Sequence, residues 1–269
     1  MTKKITKITT QKRVGRYNVF IDEKYAFPIG EEVLISFHLA KGMELDDALI
    51  KKIADADDRS KAYSRALNYL STQMRTVKEI KDYLKKHEIT EDAIEETIEK
   101  LYEFGLVNDL EYAKSYVRTM MHTSDKGPTV IRQKLRLKGV AVESIDEALE
   151  EFPVDEQLEN GIKVAEKLVK HYHDQSFRNL INKVRQALMT KGFKSDEVTQ
   201  IMDNLELEMD PEAEWDALVK QGDKVWKRQR GLEGSQRAMK VKQGLFQKGF
   251  QFDDINEYIE LKEQDEALG

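Results

Sequence analysis

One spacing of apolar residues recurs four times along this chain, and it restricts the fold more than any other feature of the sequence. Ile80, Leu84, Ile89, Ile94 and Ile98 are followed at the same intervals by Ile131, Leu135, Val140, Ile145 and Leu149. The series repeats as Val184, Leu188, Phe193, Val198 and Met202, and again as Val241, Leu245, Phe250, Ile255 and Ile259. Intervals of four residues place side chains on one face of a helix, so each segment reads as two amphipathic helices joined by a turn. Gly139, Gly192 and Gly249 mark that turn in three segments. A glycine there supplies the left-handed conformation that ends a helix, and the apolar residue after it folds back on the helix it closes. The first segment carries Glu88 instead, which must use another geometry or accept a cost of about 1 kcal/mol.

A third helix precedes each pair. Ala62, Ala66 and Leu70 occupy its inner face in the first unit, and Ala113, Val117 and Met121 in the second. Asn108 with Glu111, and Thr76 with Glu79, have the spacing of capping boxes. Matched leucines at 84, 135, 188 and 245 are 51, 53 and 57 residues apart, so the first helix lengthens toward the C-terminus. Three-helix units over 59–107, 108–153, 154–210 and 211–269 predict a mainly α fold, a tandem array forming an elongated, curved solenoid. Residues 1–58 read differently. Stretches at 5–12, 17–22 and 25–27 are rich in Ile, Thr, Val, Tyr and Phe and are separated by Gly15 and the polar Asp22-Glu23-Lys24 turn. They predict a small β-hairpin or meander, closed by Pro28 and Gly30 and followed by helices over 31–38 and 45–54 with Gly42 between them; these helices, or the next domain, must cover the sheet.

Composition narrows the function classes. A mean hydropathy of −0.64 and the lack of any apolar run of about 18 residues exclude a helical membrane span, and the start MTKKITKITT has no signal-peptide core, so a cytoplasmic protein is expected. With no cysteine there is no thiolate nucleophile and no cysteine-ligated zinc. Neither phosphate-binding glycine motif occurs, and His171, His173 and Asp174 diverge on a helix, so no metal, cofactor or catalytic residue is assigned. The chain reads as a binder, expected as a monomer, and not as an enzyme.

The net charge of −6 conceals a repeating polarity. Residues 127–138 hold four bases and no acid, and 143–159 hold eight acids and no base. Residues 177–194 and 196–210 repeat the contrast with five bases and then six acids, and 220–249 hold nine bases against two acids. Each second helix is basic and each third helix acidic. The residue after the first apolar column is Lys81, Arg132, Arg185 and Lys242, a cation in every unit standing beside the buried stripe. Pairing with the acidic helices is the plainer account of any one of these residues. A fixed sign at one position in every unit favours contact with nucleic acid or a protein coated on it. Lys126, Lys134, Arg136, Arg178, Lys183, Lys227, Arg228, Arg237 and Lys240 are further candidates of the same kind. A second column of His87, Lys138, Lys191 and Lys248 precedes the turn, where a cation complements the helix dipole. Trp226 beside Lys227, Arg228 and Arg230 fits either base stacking or a core anchor.

Several of these stretches resemble the RecX family of regulators of the RecA recombinase. The resemblance lies in Arg75-Thr76-Val77-Lys78-Glu79-Ile80, Gly105-Leu106-Val107-Asn108-Asp109 with Glu111-Tyr112-Ala113 and Tyr116-Val117, and Lys126-Gly127-Pro128 through Ile131, Leu135, Lys138-Gly139-Val140 and Ala148-Leu149. It is best over 59–153; later units match by periodicity, and the N-terminal strands are similar to the extension of longer members from Gram-positive bacteria. It implies tandem three-helix repeats and a non-enzymatic regulator of recombination and the SOS response. Such a protein binds RecA filaments on single-stranded DNA, and DNA itself, and mainly inhibits ATP hydrolysis, strand exchange and coprotease activity. It transfers no catalytic residue. A helical scaffold that recruits a protein unrelated to RecA is the alternative.

Overall fold

The computed structural model describes residues 3–268, in which thirteen helices accompany one small sheet. Strands β1 (Lys3–Thr10), β2 (Arg16–Ile21), β3 (Lys24–Gly30) and β4 (Glu44–Leu45) form an antiparallel sheet in the order β3-β2-β1-β4. The expected meander thus gains a fourth strand. Leu45, anticipated at a helix start, instead pairs with Lys3 and is fully buried. Helix α1 (Glu31–Ser36) follows the sheet, and α2 (Asp47–Leu70) begins at Asp46, whose carboxylate accepts the Leu49 N–H. Ile5, Val19, Ile21 and Ile29 face inward against Val33, Leu39 and Ile53.

Helix α2 has no Gly or Pro to stop it, so one continuous helix covers the sheet and then supplies Ala62 and Ala66 to the first repeat. The border drawn at residue 58 falls inside it, beside Asp57. That buried carboxylate accepts hydrogen bonds from Arg16 at 2.7 and 3.1 Å and from the Gly30 N–H at 2.7 Å, and Lys61 lies 2.8 Å away. Burial alone would raise its pKa; the two cations and the N–H together hold it below the usual carboxylate range.

The repeats follow as α3 (Val77–Lys86) and α4 (Glu91–Glu103), then α5 (Asp109–Thr123), α6 (Pro128–Leu137) and α7 (Val142–Leu149). The third is α8 (Val154–His171), α9 (Phe177–Lys191) and α10 (Ser195–Asn204), and the fourth α11 (Pro211–Arg228), α12 (Gly234–Gln247) and α13 (Phe252–Leu268). The five apolar columns are buried throughout except at Ile89 and Leu149, which are half-buried. All four turns close the same way. The N–H of Ile89, Val140, Phe193 and Phe250 returns to the carbonyl of Leu84, Leu135, Leu188 and Leu245, five residues back. Glu88 adopts this geometry at φ 60°, so the first turn accepts the strain that the three glycines avoid.

The chain divides into two compact units, Met1–Lys114 with Leu135–Glu147, and Ser115–Lys134 with Ala148–Gly269. The same joint links successive repeats, once in the first unit and twice in the second. The carbonyl of the lysine before the turn accepts a hydrogen bond from the residue that opens the previous repeat's second helix. Thr76 Oγ1 donates to Lys138 O and the Gly127 N–H to Lys191 O, both at 2.8 Å, and Ser176 Oγ donates to Lys248 O at 2.5 Å. A Cβ on Gly139 would lie 2.6 Å from Lys78, and one on Gly192 2.6 Å from the Val130 nitrogen. The turn glycine is therefore required twice, for its dihedral angles and for close approach.

Side chains reinforce the joint. Lys138 Nζ lies 2.6 Å from Glu79, which completes the Thr76 capping box, and Lys191 pairs with Asp125. The Val77 N–H donates to Asp109 at 2.9 Å and the Phe177 N–H to Glu214 at 2.7 Å; Pro128, at the same place in α6, has no N–H to satisfy. Burial raises the pKa of both acceptors, Asp109 and Glu214.

Replacing Gly192 with Ala is expected to cost about 2 kcal/mol or more, from left-handed strain and collision with backbone. Glu88→Gly is expected to stabilise by about 0.5–1 kcal/mol, both read by urea denaturation. Acid tests the side-chain part of the joint. The hydrogen bond from Lys191 holds Asp125 down to about 2, below the ordinary 3.8, so the folded state favours its ionised form. That contribution is complete above pH 3.8 and is lost as the pH falls to about 2. Over this window Asp125→Asn should lose less stability than the parent chain.

Candidate nucleic-acid interface

The column cations stand on α3, α6, α9 and α12 where helical geometry puts them. Lys81, Arg132, Arg185 and Lys242 are each half-buried, next to the fully buried Ile80, Ile131, Val184 and Val241. Their surroundings differ. Lys81 Nζ lies 2.6 and 2.8 Å from the two carboxylate oxygens of Glu95 on α4, an ion pair inside its own repeat. Lys242 instead sits 5.3 Å over the ring of Phe252.

That second environment continues into a patch within one unit. Phe252 stacks on Phe246 with centroids 4.4 Å apart, and both are 47 % exposed. Lys242 and Phe246 are one turn apart on α12 and so share a face. Phe246 also lines an open cavity of about 340 Å³ with Arg178, Asn179, Asn182 and Lys248. Lys248 is the one joint lysine whose ammonium meets an amide, the Gln221 Oε1 at 3.1 Å, where Lys138 and Lys191 meet carboxylates. Burial and the nearby Arg228, Lys183 and Lys224 push its pKa below the usual lysine range. Cations thus crowd around Lys248, a setting that favours an incoming anion.

The remaining candidates divide by environment. Lys134, Arg136, Arg178, Lys227, Arg228 and Lys240 are exposed on α6, α9, α11 and α12. Lys126 lies 3.1 Å from Asp125, and Lys183 is 5.4 Å over the Tyr172 ring. Arg237 is held inside its repeat. Its guanidinium stacks 4.1 Å over Trp226 and forms two hydrogen bonds of 2.9 and 3.0 Å to Glu266, which also accepts from Trp226 Nε1. Trp226 is 8 % exposed, a core anchor and not a free stacking surface. Sequence reading passed over Phe246, Phe252 and Asn182, because an aromatic at helical spacing looks the same in a core as beside one.

Among the described residues no group of three or more His, Asp and Glu is placed to hold a metal ion, and no helix is long and apolar enough to cross a membrane. His173 instead lies 2.9 Å from Asp174, which Lys220 also contacts.

Family models cover nearly all of the chain. The regulatory protein RecX N-terminal domain matches residues 3–46, and the first and second RecX three-helix domains match 62–101 and 108–149. The third three-helix domain matches twice, over 155–202 and 212–259. This chain belongs to the RecX family. It is 51% identical over 255 residues to the regulatory protein RecX of Levilactobacillus brevis, covering 95% of this chain and 96% of that one. To RecX of Bacillus subtilis it is 40% identical over 260 residues, covering 96% and 98%. A crystal structure of a regulatory protein RecX matches 75% of this chain and 99% of its own, with 49% identity and a TM-score of 0.64. The crystal structure of RecX from Lactobacillus salivarius covers 57% and 99%, with 49% identity and a TM-score of 0.54.

The two kinds of cation should separate experimentally. Arg237→Ala removes an ion pair and the packing over Trp226, so it should lower the melting temperature clearly more than Lys242→Ala, read by circular dichroism.

Proposed function

We propose that this chain is a non-enzymatic regulator that binds RecA filaments on single-stranded DNA and acts mainly as an inhibitor of RecA ATP hydrolysis, strand exchange and coprotease activity. The observation that carries this reading is the RecX family match, which runs from residue 3 to residue 259. The reading places the protein in the cytoplasm, where its DNA-bound partner is. Direct contact with phosphate is assigned to the cations of the second helices, foremost Lys242 and Arg178 beside the Phe246 and Phe252 rings. Cations that neutralise phosphates displace condensed counterions, so this contact weakens steeply with salt. Lys81, paired with Glu95, contributes least among the column residues.

The test is the ATP hydrolysis rate of cognate RecA on single-stranded DNA as the protein is titrated in. Inhibition is expected at amounts well below the RecA concentration. Arg178→Glu combined with Lys242→Glu should shift the inhibition curve to higher protein while leaving helix content unchanged. No effect of the parent chain on hydrolysis, filament length or strand exchange would overturn the reading and leave a helical scaffold with another partner.

A further inference from the structure

The N-terminal sheet has one face against its helices and one toward solvent, and the outward face carries an unusual set of side chains. Opposed residues of an antiparallel pair point to the same side. Lys7 pairs with Phe20 and Phe20 with Tyr25, so these three form one row across the sheet; Thr9, Asn18 and Pro28 form the next. The rows between them, Ile8 with Val19 and Phe27, and Ile5 with Ile21, point into the core. In the outer row the Phe20 and Tyr25 rings meet edge to face with centroids 6.0 Å apart, and Lys7 Nζ lies 5.8 Å from the Phe20 ring. Tyr25 is 56 % exposed and Lys7 is exposed. Gln11 Nε2 donates to Asn18 Oδ1 at 2.8 Å, which sets an amide pair beside the aromatic row.

Charge along β1 and β2 has one sign. Residues 3–21 contain Lys3, Lys4, Lys7, Lys12, Arg13 and Arg16 and no acid, in a chain whose net charge is −6. Lys3 and Arg16 are paired with Asp47 and Asp57. Lys4, Lys7, Lys12 and Arg13 are exposed; Asp22 and Glu23 lie in the turn that follows the Phe20 row, Glu44 lies opposite Lys4, and Glu31 and Glu32 share an open cavity with Arg13.

We infer that this outward sheet face is a platform for single-stranded nucleic acid, with Phe20 and Tyr25 stacking on bases, Gln11 and Asn18 meeting base edges, and Lys7, Lys12 and Arg13 meeting the backbone. An exposed Tyr25 ring beside a half-buried Phe20 on an open sheet matches unpaired bases, whose faces are free, and not a duplex, whose bases are already stacked. Outer rows about 7 Å apart suit successive bases of an extended strand. The exposed lysines and arginine of β1 and the turn after it supply a charge complementary to the phosphates. The inference extends the DNA-binding part of the proposed function to a second site, and its test contains no RecA, so the two fail separately.

The experiment is fluorescence anisotropy of a labelled oligothymidylate with the full chain. Phe20→Leu with Tyr25→Leu keeps the apolar bulk, removes the rings and should weaken binding about tenfold or more. Lys7→Ala should reduce the salt dependence by roughly 0.7 in the slope of log K against log salt. Tyr25→Trp should bind as the parent does, and its added fluorescence should be quenched by the oligonucleotide. This variant decides alone if the double leucine variant does not melt cooperatively. Parent-like affinity of a folded double variant would overturn the platform, as would no quenching in Tyr25→Trp or equal competition by duplex of the same length.

Discussion

A single backbone carbonyl organises each repeat junction. The lysine before the turn ends a helix, so its carbonyl has no partner within that helix and must find one elsewhere. The opening residue of the previous repeat's second helix has the opposite need, a donor to place. Thr76, Gly127 and Ser176 meet it with different chemistry, two with a hydroxyl and one with its own N–H. Pro128 after Gly127 fits the same logic, since it removes the N–H that Asp109 and Glu214 accept in the neighbouring joints. A helix end that would otherwise require water is thus satisfied by the next repeat, which is why the repeats stack through their helix ends as well as their apolar faces.

Much of this was legible in the sequence because it depends on periodicity. Columns at four- and five-residue intervals located both helices and the turn of every repeat, and eighteen of those twenty positions are buried, with only Ile89 and Leu149 half-buried. Glu88 was legible too, as the one turn residue that must accept a left-handed backbone. What escaped was long-range. The strand at Glu44–Leu45 is two residues long and exists because Lys3 and Lys4 lie across from it, which no local pattern announces. The continuity of α2 through residue 58 was hidden by a composition change in the middle of a helix that contains no breaker.

The charge columns show where pattern reading stops. Lys138 and Lys191 precede a helix end, as a dipole argument requires, but their ammonium groups reach carboxylates of the preceding repeat's helix start. Lys81 and Lys242 occupy equivalent places, yet one meets Glu95 and the other an exposed ring. Equivalent position in a repeat sets direction; the partner at the end of that direction is chosen by the neighbouring helix. A column of like charges is therefore a list of possible contacts, which each repeat's own acids reduce.

Asp57 extends the same reasoning to the sheet. It sits on α2, takes Arg16 from β2, Lys61 from its own helix and the N–H that ends β3. Removing one partner from such a buried set leaves an uncompensated charge, at a cost of about 3–5 kcal/mol, so the sheet and the first repeat are held as one body by more than apolar contact. This matters for the cations of β1 and β2. Arg16 is committed to Asp57 and Lys3 to Asp47, and these two pairs hold the strands in register against α2. Lys7, Lys12 and Arg13 remain exposed on a fixed surface, and an ordered surface loses less entropy on meeting a flexible strand than a mobile tail of the same charge would.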